Sequence, residues 1–118
     1  MSAGLWLAVG AIGGVGSVAR MAGTLAIGRG TLPVGTLAIN IIGAFVLGVL
    51  SGAGVTGDGL LLAGTALLGS FTTFSTWMHE VLGLHDRGRR RQAGWLITVA
   101  LAGGLAAAAL GRALAGWL

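Results

Sequence analysis

Five hydroxyl side chains and three aromatic rings crowd into Gly69-Ser70-Phe71-Thr72-Thr73-Phe74-Ser75-Thr76-Trp77, with no charge among them. Hydroxyl protons and the rim hydrogens of an aromatic ring are both positive edges. Together they can solvate a small anion without a fixed cation. Asn40, inside the apolar run Leu37-Ala38-Ile39-Asn40-Ile41-Ile42-Gly43, could donate two hydrogen bonds to that anion or hold two helices together. Glu80 lies four residues beyond Thr76, on the same face of a helix. It can relay a proton, accept a hydrogen bond or sit at a membrane interface. Arg20 can snorkel to the interface or, facing inward, concentrate anions at a pore entrance. His79 and His85 have no carboxylate or cysteine at metal-ligand spacing. The chain shows no nucleophile–base pair, phosphate loop or redox motif, so an enzyme is not expected.

The elements that must hold these residues follow from composition. Of 118 residues, 55% are hydrophobic and 8% are charged, whereas a soluble domain carries roughly 25% charged residues. Mean hydropathy is +0.94. An α-helical membrane span needs about 20 mainly apolar residues, and four such spans account for the chain, over approximately residues 5–27, 34–55, 60–84 and 93–118. The expectation is an all-α integral membrane protein in one transmembrane domain, residues 1–118. The first apolar stretch has no basic region ahead of it and is longer than a signal peptide's, so it is expected to remain in the mature protein. The absence of cysteine excludes disulfides. A net charge of +4 does not point to nucleic acid, because Arg87, Arg89, Arg90 and Arg91 fall in one short loop between spans, where they read as a topology signal.

Pro33 suits the first turn of the second helix, and Asp58 suits an N-cap of the third. Thr72 falls at the middle of the third span. Gly69-Ser70 and Thr72-Thr73 are weak helix formers. One reading is a break whose freed carbonyls need a cation, a water or a donor. The other is an unbroken helix whose hydroxyls bond back to their own carbonyls. Twenty-four glycines let helix backbones approach closely in lipid, and small-xxx-small pairs occur at Gly10/Gly14, Gly48/Gly52, Gly104/Ala108 and Ala107/Gly111. Four helices enclose little interior, so a polar track is best shielded at a subunit interface. A dimer is expected.

Three segments carry a resemblance: Gly13-Gly14-Val15-Gly16-Ser17-Val18-Ala19-Arg20, Gly35-Thr36-Leu37-Ala38-Ile39-Asn40-Ile41-Ile42-Gly43 and Gly69-Ser70-Phe71-Thr72-Thr73-Phe74-Ser75-Thr76. In order and spacing they resemble the signatures of the CrcB/Fluc fluoride channels. The resemblance implies passive export of fluoride from the cytoplasm across a bacterial inner membrane. It implies an antiparallel, dual-topology dimer of four-helix subunits with the third helix broken at mid-membrane and fluoride pathways along the interface. It also implies a structural Na⁺ on the dyad, held by backbone carbonyls that map onto Gly69 and Thr72. Asn40, Phe74, Ser75 and Thr76 map onto the family's pathway residues, and Thr36, Trp77 and Glu80 are placed with them. Arg20 maps to the vestibule.

Three departures stand out. Trp77 occupies the position of a second phenylalanine, Ser70 stands where glycine is common, and the fourth helix offers only Thr98 as a hydroxyl within Trp95–Gly104. Topology adds a further expectation. Arg29, Arg87, Arg89, Arg90 and Arg91 lie on one side and Arg112 on the other, so the positive-inside rule sets both termini outside. A subunit of one preferred orientation pairs with an oppositely inserted paralogue, whereas an unbiased subunit would pair with itself. A small multidrug transporter of four helices is the nearest alternative, but it needs an embedded carboxylate and the first span has none. A non-transporting assembly subunit would leave the hydroxyl and aromatic run without a role.

Overall fold

The computed structural model describes residues 2–27 and 34–117, the Ser75 side chain excepted. Arg29 and Pro33 therefore lie outside the described residues. Helix α1 spans Ala3–Ile27 and α2 spans Val34–Gly52. The third hydrophobic segment is composite: α3 (Gly57–Gly59), a π-helical stretch (Leu60–Leu68), α4 (Gly69–Phe71) and α5 (Ser75–Asp86). Helix α6 spans Arg90–Trp117. There is no strand among the described residues. Four helical stretches, Ala3–Ile27, Val34–Gly52, Gly57–Asp86 and Arg90–Trp117, are long and apolar enough to cross a membrane.

Helix ends differ from the sequence boundaries for local reasons. Helix α2 stops at Gly52 because Gly54 adopts φ +77°, a left-handed conformation that costs glycine little. The Val55 and Gly54 amides then donate back to the Leu50 and Ser51 carbonyls at 3.1 and 3.2 Å. The same cap closes α5: Gly88 has φ +77°, and the Arg89 and Gly88 amides donate to the Leu84 and His85 carbonyls at 2.8 and 3.0 Å. The expected polar loop thus contracts to residues 87–89, and Arg90, Arg91 and Gln92 join α6. Asp58 is not an N-cap. Thr56, extended at ψ 176°, precedes α3, and Asp58 sits in the first turn, where a carboxylate complements the helix dipole.

Glycines set how closely the helices lie. A Cβ on Gly48 would collide with the Ala108 carbonyl, one on Gly52 with the Arg112 carbonyl, and one on Gly111 with the Phe45 carbonyl. Helices α2 and α6 therefore pack backbone to backbone. Helix α1 meets the third segment through Gly16, against the Leu67 carbonyl, and Gly13, whose Cβ would lie 3.2 Å from Ser70 Oγ. Gly10, Gly14 and Gly104 meet nothing within 4 Å. The small-residue pairs consequently divide: Gly48/Gly52 works inside the subunit and Gly10/Gly14 does not.

A small core of Trp77, Val81, Leu84, Ala93 and Leu96 joins α5 to α6. Large apolar side chains remain exposed along α1 and α6, among them Trp6, Leu7, Val18, Leu101 and Leu105. A water-soluble fold would bury such surface, while a bilayer or a partner subunit accommodates it.

Candidate functional site

Helical pairing lapses between Phe71 and Ser75, and the hydrogen bonds there explain how that backbone is held. Thr72 is extended, with φ −82° and ψ 162°. Its amide and its hydroxyl both donate to the Leu68 carbonyl, at 2.9 and 3.0 Å. The next residue is clamped from α2. Asn40 Nδ2 donates to the Thr73 carbonyl at 2.9 Å, and the Thr73 amide donates to Asn40 Oδ1 at 2.8 Å. A primary amide can match a residue's backbone in this way because both present one donor and one acceptor. Helix α5 then restarts with Thr73 Oγ1 accepting the Thr76 amide at 3.3 Å, the three-residue spacing of a threonine cap. The same hydroxyl donates to Thr76 Oγ1 at 3.2 Å.

These bonds have a consequence for two carbonyls. In a continuous helix Gly69 would receive the Thr73 amide and Thr72 would receive the Thr76 amide. Here the first goes to Asn40 and the second to the Thr73 hydroxyl. The carbonyl oxygens of Gly69 and Thr72 have both lost their helical donors. Peptide oxygens so released are the donor set that hard cations take, so these residues fit the sodium site expected of them.

An open groove of about 370 Å³ runs over this segment, lined by Asn40, Gly43, Gly69, Thr73, Phe74 and Trp77 among others. A Cβ on Gly43 would collide with the Thr72 methyl, so any larger residue there would have to displace the Thr72 side chain. Phe74 and Trp77 touch edge to face, with ring centroids 5.5 Å apart and planes at 63°. Their settings are opposite: Phe74 is 69% exposed and Trp77 only 7%. Phe74 thus offers its ring to the outside of the subunit, while the indole packs into the α5–α6 core.

A second polar tie lies to one side. The Thr36 hydroxyl donates to Glu80 Oε1 at 2.5 Å, joining α2 to α5. The groove lining does not include Thr36, Glu80 or Thr76. Thr76 is exposed beside Thr73, and Arg20 is half-buried on α1, outside that lining. Ser75 opens α5. No cluster of histidine, cysteine or carboxylate side chains that could hold a metal occurs among the described residues.

By residue type, Asn40 can serve as an anion donor or as helix glue. The structure engages its oxygen and one Nδ2 proton on the Thr73 backbone, and Nδ2 carries a second proton at a residue that lines the groove. The capping role of Thr73 was not foreseen, although its signal, a hydroxyl three residues before Thr76 at a helix restart, is present in the sequence.

Comparison of the sequence with known proteins identifies its relatives. The family model described as "CrcB-like protein, Camphor Resistance (CrcB)" matches residues 7–112. The fluoride-specific ion channel FluC 2 of Mycobacterium tuberculosis is 42% identical over 118 residues, covering 98% of this chain and 94% of the relative. FluC 2 of Mycolicibacterium paratuberculosis is 44% identical over 114 residues, covering 94% and 93%. FluC of Deinococcus radiodurans is 41% identical over 118 residues, covering 93% and 92%. These are names of ion channels, not enzymes, and a family match across most of the chain, joined by relatives of this identity and coverage, means that the chain belongs to the CrcB family.

Proposed function

We propose that the chain is a subunit of a passive, fluoride-selective channel that lets cytoplasmic fluoride leave the cell. The observation that carries this reading is the groove itself: an uncharged lining in which an amide proton of Asn40 and the exposed Phe74 ring stand over a segment of non-helical backbone. Such edges replace part of an anion's hydration shell without trapping it as a lysine or arginine would. The driving force needs no coupling, because an inside-negative potential expels an anion by about 2.3 kcal/mol per 100 mV. The relatives named as fluoride-specific channels support the choice of ion.

The groove is open on one side, so a second subunit is needed to shield it from lipid. In this reading the partner is inserted antiparallel, the non-helical segment lies near mid-membrane, and the pathway runs along the subunit interface past Phe74, Ser75 and Thr76. The released carbonyls of Gly69 and Thr72 hold Na⁺, which when bound supplies a fixed positive charge at the dyad. The partner is a second copy or a paralogue. Relatives numbered FluC 1 and FluC 2 make a two-gene arrangement reasonable, and the arginine bias favours one orientation with both termini outside. A C-terminal tag on intact cells should then be labelled from outside only. Equal labelling from both sides would sink the fixed orientation and leave the homodimer.

Fluoride efflux from liposomes, with the purified chain alone and mixed with a paralogue, tests the main proposal. Wild type should release fluoride in at least one preparation. Phe74→Ile, which keeps apolar bulk and removes the ring edge, should lower that flux by about two orders of magnitude or more while leaving the elution volume of the assembly unchanged. At ~1.4 kcal/mol per tenfold this is about 3 kcal/mol, the scale of one lost desolvated contact to an ion. Absence of flux in both preparations would remove the proposal.

A further inference from the structure

Trp77 Nε1 is sealed from solvent and has no hydrogen-bond partner among the described residues. Buried indole N–H groups ordinarily find an acceptor, and leaving such a donor unmade is costly. Tryptophan can only donate, so what is missing is an acceptor. The Phe74 ring lies edge to face against this indole, and Trp77 is among the residues that line the groove holding Asn40 and Thr73. A phenylalanine at this place would offer only weakly positive ring hydrogens. The indole adds a full N–H dipole in a dry setting, where electrostatic interactions are stronger than in water.

We infer that the Trp77 indole N–H is a hydrogen-bond donor to the permeating anion, a specificity-determining contact particular to this chain. The inference rests on the fluoride-channel reading for the identity of the ion. Phe74 is 69% exposed and packs edge to face on this indole, and in this inference it must move aside for the anion to reach Trp77. A small, dehydrated anion is the acceptor that fits. Chloride is larger and a weaker acceptor, so the contact favours fluoride. One helical turn on, Glu80 Oε2 is a second buried atom without a partner among the described residues. It is an acceptor when ionised, so a water bridging donor and acceptor is the competing occupant.

The test uses the full chain in lipid nanodiscs with its tryptophan indoles labelled with ¹⁵N. Of the four tryptophans, the Trp77 resonance is the one missing from Trp77→Phe. Titration with sodium fluoride should shift that indole proton saturably to lower field, and sodium chloride at the same concentration should not. In flux measurements Trp77→Phe should need about tenfold or more fluoride to reach half its maximal rate, the effect of one lost hydrogen bond to a charged group. Replacement of Trp77 by β-benzothienylalanine keeps the bicyclic shape and removes only the N–H, so it separates the lost donor from lost packing. It should reproduce the Trp77→Phe shift in half-saturation.

A wild-type channel that conducts fluoride while its Trp77 indole stays unmoved would overturn the inference and leave the channel reading standing. A bridging water would then be the occupant. An indole that responds to fluoride in a protein without flux would uphold the binding contact and overturn the channel reading. Unchanged half-saturation in the benzothienyl variant would also overturn the inference.

Discussion

Replacing Asn40 with Ala should abolish fluoride flux at a stability cost of only about 1–3 kcal/mol, because the backbone it releases has somewhere else to go. Asn40 makes two hydrogen bonds to Thr73, at 2.9 and 2.8 Å. If Thr73 kept its non-helical setting, both of its peptide groups would be stranded in an apolar environment, at about 1–3 kcal/mol each. Rewinding the segment into continuous helix offers an escape: the Thr73 amide returns to the Gly69 carbonyl. That escape limits the stability loss and removes the released carbonyls along with the groove's geometry. Asn40→Asp is the informative companion. Its carboxylate still accepts the Thr73 amide but cannot donate to the Thr73 carbonyl, so it should fall between wild type and Asn40→Ala in stability. Liposome flux, detergent denaturation and hydrogen exchange at the Thr73 amide together measure these outcomes. Flux within twofold of wild type in Asn40→Ala, with unchanged exchange at Thr73, would show that the clamp is dispensable.

Gly48→Leu should prevent the subunit from folding, whereas Gly104→Ala, on the helix packed against α2, should leave it intact. The difference is local. Any Cβ on Gly48 collides with the Ala108 carbonyl of α6, and backbone on both sides cannot yield without separating the helices. Overpacking of a tight interface costs about 1–3 kcal/mol for a modest increase in volume, which is the expectation for Gly48→Ala. A leucine exceeds what small shifts can absorb. Gly104 has nothing within 4 Å of its would-be Cβ, and alanine there gains helix propensity. Yield of monodisperse protein by gel filtration and the midpoint of detergent denaturation separate the two. A folded Gly48→Leu subunit of wild-type midpoint would mean that α2 and α6 do not pack through this glycine.

The tie between Thr36 and Glu80 shows why one carboxylate is tolerable in a hydrophobic segment. A hydroxyl donor at 2.5 Å meets one oxygen of a group that lipid would otherwise penalise by several kcal/mol. A cation exchanger would need such a carboxylate open to its substrate. Glu80 is instead engaged with α2 and sits outside the groove lining.

The helical class, the four apolar stretches and the membership of a membrane-channel family were legible in the residue order alone, because hydropathy over about 20 residues and short motif spacing are local properties. Which residue types could meet an anion was equally local, and so was the weakness of Gly69–Thr73 as helix. Helix ends were legible only to within a few residues: the glycine caps at Gly54 and Gly88 depend on backbone angles that composition suggests without setting. What Asn40 does required tertiary structure, since its partner lies 33 residues away, and a polar group in lipid bonds to whichever complementary group packing brings near. The same holds for the glycines. Gly48 and Gly14 look alike in sequence, but one is pressed against a neighbouring backbone and the other faces open space. Trp77 reads in sequence as a bulkier ring at a phenylalanine position, and only the packing of α5 on α6 turns it inward and seals its N–H. Burial is a property of the assembled helices, and no single helix carries it.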